Sequence, residues 1–394
     1  MNRAHALARA ALVALLAVPA CSASETVGDY LDDGTDDAAL NDEKSAIDQV
    51  ATMRDGRALD ALVSETPFDA PFDAPASVTS PQSPPTLSAS GLFTGIDSNG
   101  ALKLATGVQP FQPRYALWSD GAAKTRWVYL PPGKKIDTTD PDHWSFPVGT
   151  KFWKEFAVGG KRVETRFIER FGPGADDYLY AAYWWKVNDG GSPTDAVLAD
   201  TDVGVPSASG TNHDIPSQES CKSCHGPLQE HVLGFSALEL NHLMPGVTIA
   251  TLMQGGWLSQ PPPSNLEFPG SDMRTRDALG YLHANCGNCH NLTPGVFMIP
   301  EPRMDLRVRI GQRLEQTGAY ETALNVEVTK FYHPQVPTIT YRIAGGDPSH
   351  SGISFRMADL AKDNRMPPVG TKLADSQGLA TVNAWIATLP PTNR

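Results

Sequence analysis

The stretch Cys221-Lys222-Ser223-Cys224-His225 has the pattern Cys-x-x-Cys-His, which returns as Cys286-Gly287-Asn288-Cys289-His290. Two thiols one helical turn apart can add to the two vinyl groups of one haem, and the adjacent histidine can then reach the iron. The two stretches therefore predict two covalently attached c-type haems. Their cysteines are the predicted thioether sites, and His225 and His290 are the predicted proximal iron ligands.

Two other uses of paired cysteines compete with haem attachment. A thioredoxin-like redox pair would occur once, in a βαβ context, rather than twice among Gly and Pro. A structural zinc site would use four Cys or His ligands in paired knuckles, and Cys224 and Cys286 are widely separated for one such ribbon. The chain has five cysteines, so a disulfide framework is not indicated.

Residues 1–20 are predicted to be a secretory signal peptide. Arg3 and Arg9 precede an apolar run that is too short to span a bilayer, and small residues follow it. Cys21 lies where a bacterial lipoprotein would be lipidated, which predicts an anchor to the outer membrane of a Gram-negative bacterium. The alternative is ordinary cleavage near Ala20, which would leave a periplasmic protein with an unmodified Cys21.

Residues 21–88 are predicted to be an acidic, Pro-rich, disordered tether. The chain through Ser88 carries 14 acidic and 5 basic residues, which leaves 30 acidic and 27 basic residues for the remainder. Such a segment cannot bury enough apolar surface to offset its conformational entropy. No cluster of Lys and Arg predicts nucleic-acid binding.

Residues 89–205 are predicted to form a β-rich domain. Alternating and aromatic stretches predict strands within residues 125–130, 151–158, 163–171 and 178–187, with Gly- and Pro-containing turns between them. These short antiparallel strands favour a β-sandwich-like arrangement. The segment contains no pattern of nucleophile and base and no cluster of metal ligands.

Residues 269–394 are predicted to be a second cytochrome c-like domain. One helix should begin at Ser271 or Asp272 and deliver the second motif, and another should begin at Asp375 or Ser376. Between them, Met366 precedes two prolines, and a thioether on such a stiff loop is the expected distal ligand of the second haem. The rival is Met357.

Residues 206–268 are predicted to be the first haem segment, which is too short for a complete cytochrome domain. The candidate sixth ligands of the first iron are His231, His242, Met244 and Met253. Met244 and His242 are favoured, because Met253 lies in an amphipathic stretch where a methionine usually packs in a core. An open iron is the remaining alternative.

The predicted fold class is therefore α+β and multidomain: an N-terminal β-sandwich-like domain followed by a mainly α cytochrome c-like region with two haems. From about residue 91 to residue 389, the chain resembles a family of bacterial dihaem c-type cytochromes with an N-terminal β-domain. The resemblance rests on both haem motifs and on the stretches Leu117–Gly121, Phe146–Thr150, Glu164–Arg166, Leu233–Phe235, Tyr281–Cys286, Gly346–Pro348 and Arg365–Pro368. It implies haem binding and electron transfer without a defined substrate.

Three functions are consistent with these patterns. The first is a dihaem c-type cytochrome that transfers single electrons to periplasmic redox partners, as a carrier rather than a catalyst. The second is a dihaem peroxidase-like enzyme, which requires one haem whose sixth site opens. The third is a β-domain that binds a ligand or partner and uses the cytochrome part as its redox outlet.

Overall fold

The structure is a computed structural model that describes residues 79–186, 193–293, 303–329 and 338–391. The chain divides into Met1–Ala74 and Pro75–Arg394, and every described residue belongs to the second unit. The predicted signal peptide, Cys21 and nearly all of the predicted tether lie outside the described residues. No helix in these described ranges has the length and apolar character needed to cross a membrane.

The described residues form two antiparallel sheets from eight strands: β1 Phe93–Ile96, β2 Leu102–Leu104, β3 Val108–Phe111, β4 Ala123–Tyr129, β5 Lys151–Val158, β6 Lys161–Arg170, β7 Tyr178–Trp184 and β8 Val197–Leu198. Strands β1 and β2 pair as a hairpin. Strands β3 to β8 form one sheet in which each strand pairs with the next along the chain. The four strands expected from alternation and aromatic content correspond to β4 to β7.

Both faces of the six-stranded sheet are buried. On one face, Trp153 and Phe167 pack against Leu92 and Phe93 of the β1–β2 hairpin region. On the other face, Phe152 packs with residues of the segment after the first motif, and its ring lies 5.2 Å from that of Phe235. Burial of an aromatic or aliphatic side chain of this size contributes about 1.5–3 kcal/mol. The sheet therefore supports the segments that carry the motifs.

Seven α-helices lie in the described ranges: α1 Gln218–His225, α2 Ala237–Leu240, α3 Ile249–Gln254, α4 Met273–Asn285, α5 Gly318–Thr322, α6 Gly352–Ala358 and α7 Ser376–Ile386. The predicted caps are confirmed. The Asp272 side chain accepts a hydrogen bond from the backbone N–H of Thr275, and Asp375 accepts one from Gly378. Helices α4 and α7 pack together in one apolar core.

The predicted fold class is wrong. The described chain is rich in antiparallel sheet and its helices are few and short, so it has no mainly α cytochrome c-like region. The second face of the large sheet is covered by the motif-bearing segment and not by a second sheet. The physical reason is that α1 and α3 have only eight and six residues and end at Gly226 and Gly255, so residues 206–268 build no helical core of their own.

Candidate haem-attachment sites

The first motif lies on helix α1, directly on the large sheet. The side-chain amide of Gln218 donates a hydrogen bond of 2.8 Å to the carbonyl oxygen of Tyr180 on β7. Cys221 is buried against Tyr178 and Tyr180. The position of the first motif is therefore fixed by strand β7.

His225 has the hydrogen bonding of a histidine that can ligate a metal. Its Nδ1 atom lies 2.8 Å from the carbonyl oxygen of His231. A carbonyl can only accept, so Nδ1 is the donor and Nε2 keeps its lone pair. Burial lowers the pKa of His225 to about 4, with the charges of Lys154 and Arg166 adding to the effect. The ring is therefore neutral at pH 7.

His231 positions that carbonyl oxygen and is itself held on three sides. Its ring stacks on Tyr178 with centroids 4.3 Å apart, and its Nδ1 lies 3.0 Å from the Tyr180 hydroxyl. Its Nε2 is 3.8 Å from a carboxylate oxygen of Asp176. Its φ of 55° lies in the left-handed region, which costs a non-glycine residue free energy. The His231 carbonyl oxygen therefore orients the His225 ring. Both ring nitrogens of His231 lie near other polar groups, so its ring is not free to bind iron.

The structure does not bring the two favoured sixth-ligand candidates to the first motif. His242 uses both ring nitrogens, since Nε2 lies 2.7 Å from the Gln112 carbonyl and Nδ1 accepts a hydrogen bond from the Met244 N–H. Gln112 follows β3, whereas the motif lies on β7, four strand spacings or roughly 19 Å away along the sheet. Met253 lies on α3 and is half exposed.

The second motif follows helix α4. The backbone N–H groups of Cys289 and His290 donate to the Cys286 carbonyl oxygen at 3.0 and 2.8 Å, which wraps the motif into one tight turn. The Leu306 N–H donates to the His290 carbonyl oxygen at 2.8 Å. The motif is thus held between its own helix and the segment after residue 303.

A cavity of about 310 Å³ brings the predicted ligands of the second site together. Cys286, Cys289 and His290 line it, and so do Met366 and Met357. The Nδ1 atom of His290 is buried without a hydrogen-bonding partner among the described residues, and burial lowers the pKa of this ring to about 4. The volume lies within the range of small-molecule and cofactor sites. The structure thus brings the residues predicted for the second site into one cavity. Both candidate distal ligands, Met366 and Met357, line it.

The rest of this cavity suits a flat apolar group that carries carboxylates. Leu306, Val328 and Ile353 supply apolar walls, whereas Arg342 and Arg356 supply cations. An arginine keeps its charge at neutral pH even when burial lowers its pKa, as it does for both of these. Thiols, a neutral histidine, a thioether and guanidinium groups on one apolar cavity match the chemistry of a c-type haem.

Two hydrogen bonds and a buried ion pair connect the segments that carry the two motifs. His225 bonds to the carbonyl of His231, and the neighbouring Glu230 forms a buried ion pair of 2.5 Å with Arg307. Arg307 follows Leu306, whose N–H bonds to His290. Burial raises the pKa of Cys289 to about 12, and the charge of Cys224 adds to that rise. The two motifs are therefore close neighbours within one unit.

The thiol chemistry disfavours the two competing uses of the cysteines. All four motif cysteines are free, and burial raises the pKa of every one of them. Redox-active thiols have lowered pKa values instead. In the described ranges, no three His, Cys, Asp or Glu side chains assemble into a metal-binding group, so a four-ligand zinc site is not formed there.

Sequence reasoning missed one feature beside the first motif, a row of three basic residues across neighbouring strands. Arg126, Lys154 and Arg166 are direct cross-strand partners on β4, β5 and β6, and we call them the basic row. The side chains of Lys154 and Arg166 both lie over the Phe156 ring, at 5.1 and 4.5 Å from its centroid. Alternating charged residues indicate that one face of a strand is polar. The alternation within one strand does not show which residues of neighbouring strands will be its cross-strand partners.

Comparison with known proteins adds no relative to this geometry. No family model, no curated protein and no solved structure matches the chain. The chemistry of the two sites therefore rests on the residues themselves.

Proposed function

We propose that this protein is a dihaem c-type cytochrome that carries single electrons outside the cytoplasm. The observation that supports this most strongly is the cavity shared by Cys286, Cys289, His290 and Met366. These four residues lie up to 80 positions apart in the sequence, and they are the donors that a His/Met-ligated haem c would use. The resemblance to bacterial dihaem cytochromes agrees with this proposal.

Each protein group has a defined task in this proposal. The thiols of each motif would hold one porphyrin through thioether bonds, and a bound haem would supply a one-electron redox couple. His225 and His290 are neutral, so each offers a nitrogen lone pair to iron without losing a proton. Met366 would fill the sixth site of the second iron, which raises its reduction potential and excludes oxygen chemistry.

The closeness of the two motifs supports an electron relay within one chain. The Glu230–Arg307 ion pair ties the segment after the first motif to the segment after the second. A rigid link of this kind would hold the two attachment sites at a constant separation. Electrons would enter from one periplasmic redox partner and leave to another.

Haem counting tests the proposal. A pyridine haemochrome assay with intact-mass measurement should find two haems of c type in the wild-type protein. The double variants Cys221→Ala/Cys224→Ala and Cys286→Ala/Cys289→Ala should each lose one haem and keep the other. Cys21→Ala, expressed with a replacement signal peptide, is the matched control and should keep two. Absence of thioether-bonded haem from the wild-type protein would overturn the proposal.

A second candidate, a peroxidase-like enzyme, is favoured by one observation. Neither His242 nor Met244 lies near the first motif, and the ring of His231 is already engaged. A first haem without a protein sixth ligand could bind small molecules. Carbon monoxide binding to the reduced protein tests this: one molecule bound per chain favours an open first iron, and none favours the pure carrier.

Export and anchoring belong to the same proposal, because c-type haem attachment takes place outside the cytoplasm. The predicted signal peptide and lipidation at Cys21 would leave the folded unit on an acidic tether at the outer membrane. Mass spectrometry of the mature N-terminus tests the anchor. A peptide that begins with unmodified Cys21 would instead indicate a periplasmic protein without a lipid.

A further inference from the structure

The basic row places like charges in direct cross-strand contact, which a sheet normally avoids. Directly opposed like charges destabilise a sheet, and Arg126 is only 6% exposed. Burial, together with the charges of Arg126 and Arg166, lowers the pKa of Lys154 well below its usual value. An anion bound beside the row would relieve this repulsion and would favour the charged form of Lys154.

The described residues supply too little negative charge for the row. Glu164 forms a two-pronged ion pair with Arg166, with its nearer contact at 2.7 Å. Neither Arg126 nor Lys154 has a hydrogen-bond or ion-pair partner of its own among the described side chains. The charge of Glu239 acts on Arg126, but burial raises the pKa of Glu239 to about 8, so this carboxyl is mostly protonated at pH 7. Among the described side chains, the three basic residues of the row are therefore paired with one carboxylate, that of Glu164.

Other charged groups on the same face do not remove this surplus. Lys124 adds a further cation beside Phe156. Glu230 and Arg307 neutralise each other, and they line a small cavity together with Arg126, Lys154 and Glu239. Arg126 is buried, whereas Lys154 and Arg166 are partly exposed.

The row lies beside the first motif. Helix α1 rests on β7, and β7 pairs with β6, which carries Arg166. The ring of His225 lies 5.6 Å from that of Tyr180 on the same face. Asn288 of the second motif lines the small cavity together with Arg126 and Lys154. Any group attached at Cys221 and Cys224 would extend over this face of the sheet.

We propose that the basic row is a carboxylate-binding site that holds the propionate groups of the haem attached at the first motif. This inference rests on the proposed function. A carboxylate beside Arg and Lys forms charge-assisted hydrogen bonds, and Arg can bind it in a bidentate manner. The sheet is then part of the haem pocket and compensates for the short first haem segment. A free small carboxylate has the same chemistry, and the test separates the two sources.

The test compares two lysines of strand β5 in the haem-loaded protein. Lys154→Met removes one charge from the row and keeps the volume of the side chain. Lys151→Met is the matched control, because Lys151 lies on the opposite face and donates to the Ser90 carbonyl. Redox-difference infrared spectra with ¹³C-labelled haem carboxylates should show propionate bands that shift in Lys154→Met and not in Lys151→Met. Such a shift is a signature that a distant structural role would not produce.

The potential of the first haem gives a second readout. With a positive charge removed beside the propionates, the ratio of reduced to oxidised first haem at a fixed potential should fall about tenfold, or about 59 mV for one electron. Two haems per chain with identical propionate bands and potentials in both variants would overturn the inference and leave the proposed function intact.

An acetate titration separates the two carboxylate sources. If propionates occupy the row, acetate should raise the thermal midpoint of wild-type protein no more than that of Lys154→Met. If acetate stabilises the wild type alone, the row binds a free carboxylate and the propionate assignment is wrong. If the chain carries no haem, the proposed function fails, and the same titration still decides whether the row recognises carboxylates at all.

Discussion

At the scale of single residues, the two histidines that we propose as proximal ligands reach the same protonation state in different surroundings. Burial lowers the pKa of both to about 4. His225 is oriented by the His231 carbonyl, whereas the Nδ1 atom of His290 has no partner in the described ranges. An oriented imidazole is a more basic iron ligand than one without a hydrogen-bond acceptor. The two proposed haems should therefore differ in reduction potential, with the first the lower.

Met366 and Met357 line the same cavity, so substitution can separate their roles. Met366→Ala should remove the near-infrared absorption band of Met-to-iron ligation and lower the potential of the second haem. Met357→Ala is the matched control and should cost about 2–5 kcal/mol of stability with the band retained, because Met357 is a buried core residue. Loss of the band in Met357→Ala alone would reverse the assignment.

Glu164 should make stability depend on pH. Burial would raise its pKa, but the charge of Arg166 and the hydrogen bond with His213 outweigh burial and lower it below 4.5. A carboxylate with a lowered pKa stabilises the fold above its unfolded pKa and loses that contribution as the pH falls through the folded value.

Glu164→Gln should lower the free energy of unfolding by about 3 kcal/mol at pH 7, since it removes the fully buried carboxylate that pairs with Arg166 and His213. The difference from wild type should shrink as the pH falls below about 4. Urea unfolding at pH 7 and pH 3 measures both values, with the partly exposed Glu169→Gln as control. An equal difference at the two pH values would contradict the linkage.

At the scale of elements, helices α4 and α7 are joined by a close backbone approach. A Cβ atom on Gly378 would lie 2.2 Å from the ring of Tyr281 on α4. The hydroxyl of Tyr281 donates to Asp375, the residue that caps α7, at 3.1 Å. The glycine therefore sets the distance between the helix that delivers the second motif and the last helix.

Gly378→Ala should destabilise this contact, although alanine is the better helix former. Overpacking of a core costs about 1–3 kcal/mol. The exposed neighbour Gln377→Ala serves as control and should leave stability nearly unchanged. Thermal unfolding of both variants measures the effect, and a Gly378→Ala variant as stable as Gln377→Ala would show that the two helices move apart freely.

At the scale of the whole described unit, one buried ion pair joins the segments that follow the two motifs. Glu230 and Arg307 are each 7% exposed, and each has one further polar atom without a partner among the described residues. A buried pair is costly to break from one side only, because the remaining charge stays desolvated. This pair should make the surroundings of the two motifs unfold together.

Arg307→Met should lower the free energy of unfolding by about 3–5 kcal/mol, whereas the double variant Glu230→Met/Arg307→Met should recover most of the loss. Denaturant titrations that follow the two haem signals separately measure this. The signals should coincide in the wild type, as expected for one cooperative unit. Two separate transitions in the wild-type protein would contradict this picture.

Local sequence by itself determined the features whose causes lie within a few residues. The spacing of the two Cys-x-x-Cys-His motifs, the caps at Asp272 and Asp375 and the alternation that forms β4 to β7 are of this kind. A helical turn, a capping carboxylate and a pleated strand are short-range geometries that the printed residues specify directly. The same patterns over-predicted a helical second half, because they do not show which surface a short helix will pack on.

Only the tertiary structure decided which distant residues meet. It placed Met366 in the cavity of the second motif, took His242 and Met244 away from the first, and aligned Arg126, Lys154 and Arg166 on three strands. Strand order and register set these distances, and they depend on the packing of the whole sheet. Residues far apart in sequence become neighbours because only one strand order and register buries the apolar side chains of both sheet faces. No single stretch of the sequence specifies that strand order.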